Sequence, residues 1–144
     1  MENNVNHLNS VLIEGNMVRD PNFRRTPRGT CVTILEIASC RYYNGSAGPE
    51  KDVCFFTVES YGKIAEACAH LGHKGRGVRI VGRLKQHRWT AADGKTRSCI
   101  VVVPEHIEWR QAVKGAVPVD IPEMDFELDT PPVEDEIEEP AVAV

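Results

Sequence analysis

The chain of 144 residues has no apolar run approaching the roughly 20 residues that a membrane-spanning helix needs. Its opening segment, MENNVNHLNS, lacks the apolar stretch of a secretory signal, so a cytoplasmic location is expected. It has no balanced set of cysteines either. The five (Cys31, Cys40, Cys54, Cys68, Cys99) are odd in number and scattered, which argues against a disulfide framework and for reduced thiols. Cys31, Cys54 and Cys99 sit in the β-like runs TCVTIL, VCFFTV and SCIVVV, where a thiol acts as a small core hydrophobe.

Catalytic signatures are missing as well. There is no P-loop, nucleophile elbow or H-E-x-x-H. Glu14, Asp20, Glu36 and Glu59 are too dispersed along the chain to suggest the carboxylate cluster with which a nuclease holds its metal. Cys68-x-His70-x-x-His73 has ligand-type residues, but Gly72 interrupts it and no fourth ligand accompanies it. A non-enzymatic protein with no metal and no cofactor is expected.

No Lys or Arg follows Lys114. Residues 1–114 hold all 17 Lys and Arg against 11 Asp and Glu, a balance of +6; residues 115–144 hold 10 acids and no base, a balance of −10. That tail carries prolines at 118, 122, 131, 132 and 140 and no periodic pattern, which predicts a disordered acidic segment after a domain spanning 1–114. There is no internal repeat.

What the domain does have is period-two patterning. NSVLIEG reads as a first strand, followed by turn signals at Asp20-Pro21 and Pro27-Arg28-Gly29. CVTILEIASCRYY reads as a long second strand, NGSAGPEK as a loop, and DVCFFTVESYG as a third strand. Ile64, Ala67, Cys68 and Leu71 then recur at helical spacing, with Gly72 as the stop. VRIVGRLKQHRWT and TRSCIVVVPEHIEW supply a fourth and a fifth strand around the turn Ala92–Lys95. The order predicts an all-β OB-fold, a five-stranded Greek-key barrel with one helix between strands 3 and 4, a fold that commonly binds oligonucleotides. A six-stranded sandwich and an SH3-like barrel also fit this order.

The ribbon GRLKQHRWTAADGKTRS, Gly82–Ser98, carries six basic side chains if His87 is counted. In a strand, Arg79, Val81, Arg83, Lys85, His87 and Trp89 share one face. Cations can follow a phosphate backbone while an indole stacks on an unpaired base. Basic residues also protect an exposed sheet edge, but edge protection does not call for a large ring among them. Phe55 and Tyr61 face away from the Cys54/Phe56/Val58 side, and Tyr43 ends the second strand. The one helix has small, nearly neutral exposed residues, unlike a major-groove reader, so the pattern favours single strands over duplex.

Several stretches, NSVLIEGNMVRDP, TPRGT, FFTVESYGKIAEACAHLGHKGRGVRIVGRLKQHRWT and DGKTR, resemble the bacterial single-stranded DNA-binding protein family. The likeness runs from about Leu8 to Trp109. It is carried by G-N-x-x-x-D-P at Gly15–Pro21, by the Y-G-K-x-A-E entry to the helix, and by K-G-x-x-V-x-I-x-G-R-L…W-T at Lys74–Thr90. The resemblance implies base stacking by Tyr43, Phe55, Tyr61 and Trp89; better-known members carry Trp at the first two places. It offers Arg41, Lys63, Lys74, Arg76, Arg79, Arg83, Lys85 and Arg88 for phosphate contacts.

The resemblance further implies a homotetramer that coats single-stranded DNA near the nucleoid during replication, recombination and repair. It implies a tail that recruits replication and repair proteins. The family's acidic terminal tip is not reproduced here: Asp120-Ile121-Pro122 lies far from the end, Phe126 is the tail's one aromatic, and the chain finishes EEPAVAV. The rival functions are an OB-fold that prefers single-stranded RNA or serves replication restart, and an interaction module that binds no nucleic acid.

Overall fold

Alternating apolar residues become strands wherever one face can be buried; among the described residues five segments do so, and a short exposed sixth pairs at the sheet edge. The computed structural model describes residues 4–110. In order these are β1 (Val11–Met17), β2 (Asn22–Arg25), β3 (Cys31–Gly45), β4 (Gly48–Tyr61), α1 (Gly62–Leu71), β5 (Gly77–Thr90) and β6 (Thr96–Arg110). The sheet order is β1-β5-β6-β4-β3-β2, and β1 also pairs with β3 through Asn16↔Ala38 and Met17↔Ile37. That extra pairing closes β1, β5, β6, β4 and β3 into a five-stranded barrel. β2 stays outside the ring, hydrogen-bonded only to β3.

The barrel and its helix match the OB-fold expectation, and two local readings change. The segment after β1, read as turns, contains the four-residue strand β2. NGSAGPEK, read as a loop, is mostly strand: pairing continues through Asn44↔Pro49 to Gly45↔Gly48, leaving only Ser46 and Ala47 between the strands. Pro49 is tolerated because this end of β4 is paired on one side only, so a missing N–H need not break a ladder.

Met17, Leu35, Ile37, Val58, Cys68, Val78, Ile80 and Val102 fill the barrel. α1 is held over it by buried polar groups that satisfy one another. Thr33 Oγ1 donates to the Ala65 carbonyl at 2.7 Å, and Ser60 Oγ donates to the Thr33 carbonyl at 2.8 Å. Gly72 ends the helix in extended backbone, with its N–H donating to the Cys68 carbonyl. A Cβ there would lie 2.6 Å from that carbonyl oxygen and 3.2 Å from Met17 Sδ, so close packing, not a left-handed turn, selects glycine.

The β5–β6 register shifts between Val81↔His106 and Gly82↔Pro104, leaving Glu105 as an extra residue. At this bulge a Cβ on Gly82 would meet the Val103 carbonyl oxygen at 2.2 Å. The bulge divides β5 into a lower half that closes the barrel and an upper half, Arg83–Thr90, that projects with β6 as a ribbon.

Candidate nucleic-acid interface

Directly paired residues of adjacent strands share a face, so register shows which side chains meet. Along the β3–β4 hairpin one face carries the pairs Val32↔Tyr61, Ile34↔Glu59, Glu36↔Thr57, Ala38↔Phe55, Cys40↔Val53 and Tyr42↔Lys51. On the β5–β6 ribbon the corresponding face carries Arg83↔Val103, Lys85↔Val101, His87↔Cys99 and Trp89↔Arg97. Two contacts join these surfaces. Lys85 Nζ lies over the Tyr61 ring, 5.4 Å from its centroid, and His87 Nε2 meets Glu59 Oε2 at 2.9 Å. The outcome is one continuous face with Tyr42, Phe55, Tyr61 and Trp89 on it, and with Arg83 and Lys85 beside them.

Of the four aromatics expected to stack, the register brings together Phe55, Tyr61 and Trp89. Tyr43 points the other way, paired with Glu50 on the reverse of the hairpin. There its hydroxyl donates to Glu50 Oε2 at 2.7 Å, which raises its pKa, and the Arg41 guanidinium lies 5.2 Å from its ring centroid. Tyr42, not singled out from the sequence, takes the place on the shared face. It is 74% exposed against 38% for Tyr43, with Lys51 Nζ 5.7 Å from its ring centroid. Parity could have found it, because Phe55 and Tyr42 fall on one face once the hairpin turn is placed at Ser46-Ala47.

Tyr61 is on the shared face but only 8% exposed, packed in a second cluster with Val32, Val101 and Val103. It therefore acts as the floor of the surface, with Lys85 above it. Burial lowers the Lys85 pKa, against a raising effect of Glu59 and a further lowering by Arg83. A phosphate placed there would replace lost solvation with an opposite charge.

The other expected cations separate into groups. Arg79 belongs to a half-exposed ion network on the far half of β5: Glu14 holds it at 3.0 Å, Glu108 at 3.5 Å, and Glu14 also binds Arg110. Arg41 and Arg88 lie on the reverse faces of their hairpins, and Arg88 Nη2 donates to Gln86 Oε1. Lys63 is exposed near the start of α1. Lys74 and Arg76 sit in the loop after α1, where the Lys74 N–H donates to Asp20 Oδ1 and Arg76 lies 6.0 Å from the Trp109 ring centroid. Arg83 and Lys85 are the two expected cations that stand on the shared face.

Two buried acids also stand there: Glu59, which strand parity alone puts on the side of Phe55 and Tyr61, and Glu36, which the β3–β4 register adds. Glu36 accepts hydrogen bonds from Thr57 Oγ1 at 2.9 and 3.1 Å. Burial raises its pKa, opposed by the Thr57 bond and by the Arg19 charge. Glu59 is held by His87, with its other oxygen buried and unpaired. Cys68, read with His70 and His73 as a loose ligand-type triplet, is buried in the core while both histidines are not. Among the described residues no group of three or more His, Cys, Asp or Glu is arranged to hold a metal, and no helix is long and apolar enough to cross a membrane. The expected docking residues Asp120, Ile121, Pro122 and Phe126 lie outside the described residues, as does the domain boundary near residue 114.

Residues 8–109 match the model of the single-strand binding protein family. A single-stranded DNA-binding protein of Aquifex aeolicus is 35% identical over 132 residues, covering 91% of this chain and 86% of that one. Single-stranded DNA-binding protein 2 of Chlorobaculum tepidum is 35% identical over 104 residues, covering 71% of this chain and 70% of that one. The solved structure of a Thermus aquaticus single-stranded DNA-binding protein deletion mutant superposes with a TM-score of 0.65 at 27% identity, covering 74% of this chain and 52% of that one. A Plasmodium falciparum complex with single-stranded DNA gives 0.68 at 15% identity, covering 75% and 99%, a likeness of fold.

Proposed function

We propose, for a chain that belongs to the single-strand binding protein family, that it coats unpaired DNA with little sequence preference and shields it during replication, recombination and repair. The observation that carries this reading is the single face that carries Tyr42, Phe55 and Trp89 together with Arg83 and Lys85. Rings accept any base, and cations accept any phosphate, so such a face has no reason to discriminate sequence. The protein is a binding protein and not an enzyme.

Tyr42, Phe55 and Trp89 are the stacking groups in this proposal, Tyr61 is their floor, and Tyr43 is left to the reverse side. Arg83 and Lys85 hold the phosphates on the face. Arg41, Lys63, Lys74, Arg76 and Arg88 border it on other surfaces, and Arg79 enters only by giving up its carboxylates. The test is a filter-binding comparison of one sequence as single-stranded DNA, single-stranded RNA and duplex DNA at fixed salt. Preference for the DNA single strand is expected. Equal or tighter RNA binding would transfer the reading to RNA, and failure on all three would leave a protein-interaction module.

Assembly as a homotetramer is part of the same reading. Leu8, Leu12 and Ile100 are more than half exposed on the monomer and would gain from burial between copies. Sedimentation should then give about four times the 16.0 kDa of the chain; a monomeric mass would remove the tetramer and leave the base-binding face untouched. The tail, through Asp120–Pro122 and Phe126, is proposed to recruit replication and repair proteins. The setting is the cytoplasm, alongside the nucleoid.

A further inference from the structure

The sequence RDPNFRRTPRG places four arginines within ten residues, none of them among the cations so far assigned to DNA. The fold gathers three of them on β2 and the turn after it. All four β2 residues are exposed, since the strand is paired on one edge only. Arg24 is paired with Val32, and Val32 with Tyr61. Arg24 therefore shares the aromatic face, two strands from Tyr61 on the side opposite Lys85. Arg25 lies across the Phe23 ring, 5.9 Å from its centroid. Arg28 is displayed on a tight turn, closed by the Thr26 N–H donating to the Thr30 carbonyl at 2.9 Å and the Gly29 N–H to the Thr26 carbonyl at 2.7 Å.

We propose that this β2 flap is a second phosphate-binding stretch of the same DNA path, with Arg24 on the aromatic face, and Arg25 on the reverse of this edge strand and Arg28 on the turn after it, taking the strand as it leaves that face and passes over the open edge. The inference rests on the single-stranded DNA reading above and adds a direction to it. Its first support is charge balance. Arg79 and Arg110 are held by Glu14 and His87 by Glu59, whereas among the described residues no carboxylate pairs with Arg24, Arg25 or Arg28. Cations with no carboxylate beside them among the described residues are the ones that gain most from a phosphate.

The second support is distance. β2 lies four strand spacings from β5, about 19 Å along the sheet at ~4.8 Å per strand. Screening limits a charge to about 8 Å in physiological salt, so flap and ribbon must neutralise different phosphates. Basic residues on an edge strand also deter edge-to-edge pairing, but that role involves no DNA.

The test uses the full chain. Wild type and the variant Arg24→Gln/Arg25→Gln/Arg28→Gln are titrated with poly-dT from 50 to 400 mM NaCl, with thermal melts to verify folding. Each phosphate contact on a single strand contributes about 0.7 to the slope of log K against log salt. The variant's slope is expected to be shallower by about 2. The double variant Arg24→Gln/Arg28→Gln, which keeps Arg25 on Phe23, should be shallower by about 1.4 and covers the case in which the triple variant unfolds.

An unchanged slope with intact wild-type binding overturns the flap and spares the aromatic face. Tighter binding by the variant also overturns it, because the flap would then be holding the chain's own acidic tail. Absence of wild-type binding would defeat the single-stranded DNA reading itself.

Discussion

Tyr42 and Tyr43 are chemically identical neighbours, yet one residue of register sends them to opposite faces of a hairpin. Tyr42 is on the face of Phe55 and largely exposed, with only the Lys51 ammonium over its ring; Tyr43 is on the reverse face, with its hydroxyl on Glu50 and a guanidinium against its ring. Tyr42→Ala should therefore weaken poly-dT binding by about 1–3 kcal/mol, the scale of one base–aromatic stack. Tyr43→Ala should leave it near wild type; the reverse order in a paired titration would refute the assignment. Glu36 allows a sharper test. Burial raises its pKa, so the folded state binds the proton better than the unfolded state. Any stability from that proton is present below the ordinary carboxylate range, near pH 4, and is lost as pH rises through the folded value. Above it the buried charge is a liability. Glu36→Gln should thus raise the denaturation midpoint at pH 7, the gain shrinking as pH falls towards 3. A midpoint difference independent of pH would show that ionisation is not its cause.

Elements, more than residues, decided what could be read in advance. The five barrel strands and the helix after β4 were legible because alternation and helical spacing are local. So was the face of Phe55 and Trp89, which needs only the parity of one strand. The Tyr42–Tyr43 choice was not, because it depends on where the chain reverses; Gly, Ser and Pro in NGSAGPEK suggested a wide loop, whereas the ladder runs on to Gly45↔Gly48. Burial of Tyr61 was hidden for a related reason, since Val101 and Val103 arrive from β6, some 40 residues later. β2 is only four residues long and presents no apolar face, so nothing in its composition marked it as a strand. The bulge at Gly82 is the element-scale feature most open to test. A methyl at 2.2 Å from the Val103 carbonyl oxygen must displace one strand from the other. Gly82→Ala should lose about 1–3 kcal/mol of stability or more in denaturant unfolding, and an unchanged midpoint would mean that β5 and β6 are not so close.

At the scale of the whole molecule, the net charge of −4 is the sum of +6 over residues 1–114 and −10 over residues 115–144. The acidic segment should compete with DNA for the cations of residues 1–114, and more strongly where salt does not screen them. Deleting residues 115–144 is expected to tighten poly-dT binding at 20 mM NaCl and to matter little at 300 mM; equal affinities at low salt would show that the tail does not approach the face. The central claim is that unpaired bases stack on the face built by β3–β4 and β5–β6. It is tested most directly by tryptophan emission. Trp109 packs against the barrel core, opposite Val78, while Trp89 stands on the ribbon among the cations. In the Trp109→Phe protein, all tryptophan emission comes from Trp89. Saturating poly-dT should quench most of it, and added salt should restore it. Binding seen by an independent assay with the Trp89 emission unchanged would contradict the claim.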